Sequence, residues 1–208
     1  IGRLGEQLAS AGAELTGLRK QAADRLTARV QEELAALAMP HARLEFSLEP
    51  TEEPTAWGME QVHLLFAANP GSQMQPLAKV ASGGELSRVR LALEVVLAAG
   101  DSGHVFVFDE VDAGVGGEVG VEIGRRLAAL AHNSQVIVVT HLAQVAAFAG
   151  THWVVAKSST GQVTTSDLRC LDEAGREAEL ARMMGGLVDS ASGLQHARDL
   201  LTMAAADR

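Results

Sequence analysis

Two short apolar segments, residues 104–108 and 136–140, set the strongest limit on the fold of this chain. Both consist largely of Val, Ile and Phe, and a helical pattern over about 117–131 lies between them. Strands that are apolar throughout and separated by helices are typical of a parallel sheet with helices on both faces. The sequence therefore predicts an α/β fold with a mostly parallel sheet flanked by helices.

A long helix is predicted ahead of this region, over residues 1–38. Its first apolar positions repeat every seven residues, as in a coiled coil, and the later ones follow at steps of four, as on a straight helix. Pro40 ends the pattern. We therefore expect a coiled-coil arm over 1–40 and a compact lobe over 41–208, although periodicity alone also fits a long surface helix of a globular core.

Weaker patterns complete the predicted secondary structure. Pro50 and Pro54 indicate a loop after the first strand, and residues 67–82 have the length of a functional or mobile loop. The remaining expected elements are alternating strands at 41–49 and 62–66, a helix at about 84–99, a hairpin at 153–168 and helices at about 173–184 and 190–205.

The composition excludes several classes of protein. Hydrophobic residues make up 47% and charged residues 21% of the chain, which excludes a disordered protein. The net charge of −9 argues against a stand-alone nucleic-acid binder, and the single cysteine, Cys170, excludes an intrachain disulfide and suits a reducing cytoplasm. Because no apolar run reaches about 18 residues, we expect no membrane span. The chain begins at Ile1 rather than Met, so we expect an internal piece of a longer protein or a processed product.

A glycine-rich segment stands where the helix at about 84–99 begins, with the sequence Ser82-Gly83-Gly84 followed by Glu85. Glycines allow a phosphate to approach the backbone, and a helix start offers free N–H groups and a positive dipole. The segment therefore predicts a phosphate contact. Taken alone, a serine N-cap after a flexible loop is the commoner explanation.

Polar side chains follow both apolar strands. Asp109 and Glu110 come directly after the first strand, and His141 follows the second. In open α/β sheets, ligands bind at the carboxyl ends of the strands. An Asp there can hold Mg²⁺, and an adjacent Glu can polarise a water for attack on a phosphate. Each feature alone also fits a solvated strand end, so the prediction depends on their combination.

These three segments, in this order and at short spacing, resemble the C-terminal lobe of an ABC-type ATPase head. Residues 81–85 match its signature motif, residues 109–110 its Walker B motif and His141 its switch histidine. Two positions depart from the wider group. Ala81 stands where transporters usually carry Leu, and Gly116 stands where the D-loop normally ends in Asp.

Longer stretches resemble one SMC-like branch of this group, the RecN family of bacterial DNA repair proteins. The stretches that carry the resemblance are residues 69–71, 76–77, 79–88, 108–117, 140–147, 179–186 and 196–197. The resemblance covers essentially the whole chain, because a returning coiled-coil helix precedes the C-terminal lobe in that family. It implies a cytoplasmic, nucleoid-associated protein that acts in DNA double-strand break repair and recombination.

For the site, the resemblance implies that two heads sandwich ATP. On one head, Asp109 is expected to organise Mg²⁺ and Glu110 to activate the attacking water as the catalytic base. His141 is expected to contact the γ-phosphate, and Gln144 to steady the loop that carries it. The residues expected to cap the γ-phosphate from the opposite head are Ser82, Gly83, Gly84 and Glu85.

The chain contains no G-x-x-x-x-G-K-[ST] motif, the loop that cradles phosphates in such ATPases. The resemblance implies that this Walker A motif lies on an N-terminal head lobe, and that the chain alone is an inactive part of an ATPase. The expected partners are that lobe, a second head in a homodimer and DNA through the complete protein, with no membrane.

Two other functions stay open at this point. A transporter ATPase is one, and Ala81 and the glycine at the end of the D-loop count against it. A structural coiled-coil module with a dead nucleotide site is the other, and the intact pair 109–110 and His141 count against that.

Overall fold

The computed structural model describes residues 2–79, 83–97, 103–160, 163–185 and 190–207. The chain forms two compact units, Ile1–Ala99 and Gly100–Arg208. The predicted mixed α/β character and the long N-terminal helix are both confirmed. No helix within the described ranges is long and apolar enough to cross a membrane.

The first unit begins with helix α1 (Gly2–Ala36), which has 35 residues and is therefore about 50 Å long at 1.5 Å per residue. Its C-terminal part is held against the unit through the buried side chains of Val30 and Leu34. Its N-terminal part leaves Leu4 and Leu8 exposed. The seven-residue apolar stripe predicted for a coiled coil therefore faces outward along the first turns of the helix.

A hairpin of β1 (Arg43–Thr55) and β2 (Gly58–Ala67) follows, and the short strand β3 (Gln75–Pro76) pairs with β2. Both pairings are antiparallel. The loop predicted at Pro50 is instead part of β1, whose register shifts between Pro50 and Thr55. The prolines fit because β1 is an edge strand, so their missing N–H groups remove no bond from the interior of the sheet.

Helix α1 contacts both β1 and β2, and it also packs on α2 (Gly83–Leu97). Glu60 of β2 is nearly buried, and Arg19 Nη1 of α1 donates to its carboxylate over 3.0 Å. The helix and the hairpin thus belong to one compact unit. The functional division of the chain near residue 40 stays a prediction.

The second unit contains one parallel pair, β4 (Val105–Asp109) and β5 (Gln135–Val139), with helix α3 (Gly117–Leu130) between them in sequence. The remaining elements of this unit are the short helix α4 (Ala143–Ala146), the antiparallel hairpin β6 (Trp153–Thr160) and β7 (Val163–Cys170), and helices α5 (Glu173–Met183) and α6 (Ala191–Ala206).

The sheet differs from the prediction in two respects. Parallel pairing within the described residues is limited to β4 and β5, since the other two sheets are antiparallel. Among the described residues, only one face of this pair is covered: Phe106 and Phe108 are buried, whereas the opposite face is 46–60% exposed. The residues of that exposed face are Val105, Val107, Ile137 and Val139. Both faces of these strands are apolar, although the part of the chain that the structure describes covers only one of them.

The core of the second unit lies among its helices and consists largely of small side chains. Phe148, Leu180 and Leu200 pack together with alanines of α4, α5 and α6. Gly124 of α3 lies against Phe148, where a Cβ would come within 2.3 Å of the ring. This close packing holds α4, and with it the turn between β5 and α4.

Candidate functional site

The carboxyl ends of β4 and β5 open into a cavity of about 380 Å³. Its lining residues are Asp109, Glu110, Asp112, Ala113, Val139, Thr140 and His141. Two parallel strands end at the same edge of their sheet, so the polar residues that follow each strand meet there. The structure thus brings together three predicted site residues, Asp109, Glu110 and His141.

Asp109 is the last residue of β4, and both it and Glu110 are exposed. Glu110 has a backbone φ of +57°, in the left-handed region that side chains rarely adopt. The carbonyl of Glu110 accepts a hydrogen bond from Ala113 N over 3.0 Å, which closes a turn at the strand end. The backbone of the expected catalytic base is therefore in a conformation that costs about 1–3 kcal/mol.

Asp112 is the buried acid of the site, with 1% of its surface exposed. Its Oδ2 accepts hydrogen bonds from the hydroxyl of Thr140, from His141 N over 3.1 Å and from Leu142 N over 3.3 Å. The loop after β4 is thereby tied to the turn after β5. Sequence reasoning assigned Asp112 no role. The available signal was the apolar residue Val111 beside it, since an apolar residue in a polar loop indicates that the loop turns inward, and Val111 is indeed buried.

His141 lies on the other side of the cavity, with 71% of its side chain exposed. Its Nδ1 is 3.2 Å from Oδ2 of Asp112. This contact occupies one imidazole nitrogen and leaves the other for a ligand. Nε2 is therefore the nitrogen that His141 can offer to a ligand in the cavity.

Gln144 is in α4 and does not line the cavity. Its Cβ and Cγ lie beside Gly120 of α3, where an added Cβ would be 3.1 Å from the Cβ of Gln144. This packing directs the stem of the side chain toward α3. The structure thus does not bring Gln144 to the cavity with His141, and its expected role stays a prediction.

The predicted signature segment belongs to the first unit. Ser82 lies outside the described residues, while Gly83 and Gly84 begin α2 and Glu85 is half-buried in its first turn. Arg88, one turn on, is largely buried. Burial lowers the pKa of its guanidinium, and the carboxylate of Glu85 partly offsets that effect. An open cavity of about 390 Å³ in this unit is lined by Glu85, Lys79, the last two residues of β2 and residues that follow them.

The acidic residues at the cavity fit a Mg²⁺ ion that is bound partly through phosphate oxygens and waters. No cluster of three or more His, Cys, Asp or Glu side chains able to hold a metal is present among the described residues. Mg²⁺ is usually bound through one or two carboxylates together with phosphate oxygens and waters. A single carboxylate at a strand end, as at Asp109, fits that requirement.

Three similar proteins carry the name DNA repair protein RecN. The protein from Streptomyces coelicolor is 50% identical over 206 residues, which is 93% of this chain and 36% of the relative. The Mycobacterium leprae protein is 49% identical over 228 residues, or 100% of this chain and 38% of the relative. The Deinococcus radiodurans protein is 45% identical over 201 residues, which is 97% of this chain and 35% of the relative. The chain therefore spans just over a third of the length of the curated relatives it matches.

Solved structures support the fold. The Smc head domain with a coiled coil and joint from Pyrococcus yayanosii aligns with a TM-score of 0.53 at 20% identity, over 80% of this chain and 30% of that one. The Smc head domain with an extended coiled coil from Pyrococcus furiosus aligns with a TM-score of 0.52 at 20% identity. The alignment covers 88% of this chain and 43% of that one. No protein-family model matches the chain. At 45–50% identity over nearly all of its residues, this chain belongs to the RecN family.

Proposed function

We propose that this chain is the C-terminal lobe of a RecN-like, SMC-type ATPase head in a protein that acts in DNA double-strand break repair. One observation carries the proposal: Asp109, Glu110 and His141 line a single cavity at the ends of two parallel strands. The names of the relatives and the Smc head folds support the same assignment.

The chemistry of the cavity follows from its three polar side chains. Glu110 accepts a proton from the water that attacks the γ-phosphate, and His141 donates from Nε2 to a γ-phosphate oxygen. Asp109 holds Mg²⁺, which when bound neutralises charge on the phosphates. Donors on both sides of the transferred group stabilise its charge without moving during the reaction.

The signature residues are proposed to act from a second head of the same kind. Gly83 and Gly84 begin a helix of 15 residues, and the N–H groups of its first turn are suited to a phosphate. Together with Ser82 and Glu85, they cap the γ-phosphate bound to the partner head in a homodimer. Hydrolysis then removes the ligand that both heads share, and the heads separate.

The partner that completes the head is proposed to be an N-terminal lobe carrying Walker A. The exposed face of β4 and β5 supports this, since four large apolar side chains at 46–60% exposure form a surface that a neighbouring element normally covers. The missing phosphate-cradling motif and the one-third share of the relatives' length agree. The lobe alone is expected to bind ATP weakly and not to hydrolyse it.

The outward stripe of α1 supports a second contact, with an outgoing coiled-coil helix of the same protein. Leu4, Leu8 and Leu18 are exposed on α1 at coiled-coil spacing. An arm of this kind allows the complete protein to reach DNA at a distance from the head. We place that protein in the cytoplasm, at the nucleoid, because DNA is its proposed target.

The test is the variant Glu110→Gln in the complete protein. The amide keeps the shape of the side chain and loses the base, so we expect ATP hydrolysis to fall by about 10²–10⁴-fold. The ATP-bound head dimer should persist in size-exclusion chromatography. Glu118→Gln, an exposed residue in the first turn of α3, is the matched control and should hydrolyse ATP at the parent rate. Parent-rate hydrolysis by Glu110→Gln would contradict the proposal.

A further inference from the structure

One oxygen of Asp112 holds His141 at two points. Oδ2 of Asp112 lies 3.1 Å from the backbone N of His141 and 3.2 Å from its ring Nδ1. The same oxygen accepts hydrogen bonds from the hydroxyl of Thr140 and from Leu142 N. Three consecutive residues of the turn after β5 thus converge on one buried carboxylate.

Packing does not fix the imidazole, because 71% of the His141 side chain is exposed. An exposed side chain on a turn samples several rotamers unless a polar contact selects one. The contact with Asp112 selects one here, and it uses Nδ1 rather than Nε2. This contact occupies Nδ1 and leaves Nε2 as the ring nitrogen available to a phosphate oxygen.

Burial of Asp112 is costly unless its charge is satisfied, since a buried carboxylate without partners loses its hydration and gains nothing in return. The hydroxyl and the two backbone N–H groups satisfy it. A neutral side chain could accept the same three hydrogen bonds. The carboxylate differs in giving the imidazole a charge-assisted contact, which is about twice as strong as a neutral one.

We propose that Asp112 is the positioning residue of the site: its carboxylate contacts Nδ1 and fixes the rotamer of His141, so that, with both ring nitrogens protonated, the Nε2–H group faces the γ-phosphate. This proposal depends on the proposed function, because it assigns the group that sets the geometry of His141. Asp112 itself does not touch the nucleotide. It also joins the loop that follows Asp109 and Glu110 to the turn that carries His141, so that both sides of the cavity are held in one arrangement.

The experiment is a double-mutant cycle in the complete protein, with Asp112→Asn, His141→Ala and the combination. The asparagine amide oxygen can still accept the backbone hydrogen bonds, but it binds the imidazole more weakly. We expect Asp112→Asn to lower kcat roughly 10- to 100-fold with little change in KM, as for other groups that orient a histidine. In the His141→Ala background the same change should cost no further activity.

The controls separate the possible failures. Asp172→Asn, which changes a carboxylate that caps α5 by accepting from Gly175 N, should leave kcat unchanged. If Asp112→Asn does not fold, the cycle is run with Asp112→Glu, which keeps the charge but displaces it by one methylene.

One possible result is that Asp112→Asn lowers kcat by the same factor in the parent and in the His141→Ala background. That result would show that Asp112 acts independently of His141, and it would overturn the inference. The inference would also be wrong if His141→Ala lowers kcat but Asp112→Asn, correctly folded, does not. A His141→Ala variant with parent activity would instead contradict the role of His141 in the proposed function.

Discussion

Asp109 of β4 is paired with Val139 of β5 in the last rung of the parallel pair. Both strands end at this rung, so Glu110 and Thr140 leave the sheet side by side. Residues 31 positions apart, such as Glu110 and His141, therefore line one cavity. The register of these two parallel strands sets the spacing between the expected base and the expected phosphate contact.

The backbone of Glu110 gives a first prediction, on stability. A left-handed conformation costs a residue with a side chain about 1–3 kcal/mol, and glycine escapes this cost. Glu110→Gly in the complete protein should therefore unfold at the same temperature as the parent or higher, although it loses ATP hydrolysis. Thermal unfolding followed by circular dichroism measures this.

Glu118→Gly is the matched comparison, because Glu118 is in the first turn of α3 and its own φ is not in the left-handed region. There the same change should destabilise the protein by roughly 0.5–1 kcal/mol. Equal destabilisation by the two variants would show that Glu110 carries no backbone strain.

The contact between Gly124 and Phe148 gives a prediction on packing. A Cβ at Gly124 would lie 2.3 Å from Cδ2 of Phe148, inside the core that holds α4. Gly124→Ala should destabilise the protein by about 1–3 kcal/mol, as other overpacked cores are. Gly150→Ala is the control, since nothing lies within 4 Å of a Cβ at that position. Unfolding of both variants in urea compares them, and an unchanged midpoint for Gly124→Ala would contradict the packing described here.

The strand-end residues of the site could be predicted from the sequence, whereas the contacts of Asp112 and Gln144 could not. The apolar segments predicted the two strands, and parallel pairing followed from the helix between them, so the meeting of Asp109 with His141 was predictable. The burial of Asp112 was not, because it depends on donors 28 to 30 positions away. The direction of Gln144 was not predictable either, since it depends on the space that Gly120 leaves on α3.

The exposed face of β4 and β5 shows that the sequence does not reveal which element covers an apolar strand. Strands with apolar residues on both faces predict cover on both faces, but they do not say which part of a protein supplies it. Here Val107 and Ile137 remain exposed. Pro50 illustrates the converse, as a residue that ordinarily ends a strand is accommodated at a sheet edge with a register shift.

His152 gives a prediction on pH dependence. Burial lowers the pKa of its imidazole below the usual value, and Arg176 lowers it further, while Glu179 partly opposes both. As the pH falls, His152 therefore takes up a proton near pH 6.5 in the unfolded state, whereas in the folded state it takes one up only at a lower pH. The free energy of unfolding should fall as the pH drops through this value, by at most about 1.4 kcal/mol per pH unit.

Thermal unfolding at pH 7.5 and pH 5.5 measures this loss. His152→Asn should reduce it, because the asparagine does not titrate, whereas His132→Asn, at an exposed position, should leave it unchanged. A pH dependence in His152→Asn equal to that of the parent would assign the loss to other groups.

The last prediction concerns DNA. The 208-residue chain alone should bind duplex DNA poorly at physiological salt, since its net charge is −9 and phosphate contacts require uncompensated cations. The adjacent pair Arg125 and Arg126 does not supply them, because Glu122 pairs with both and Asp207 pairs with Arg125 over 2.7 Å. A titration of the chain against linear duplex at several salt concentrations measures this, with Arg125→Ala/Arg126→Ala as the variant that should bind no differently.

Sub-micromolar affinity near 150 mM salt, with a steep dependence of log K on log salt that the double variant reduces, would place a DNA contact on this lobe. Weak binding in both would leave the DNA contacts of the complete protein to its other parts or to a surface formed when two heads meet.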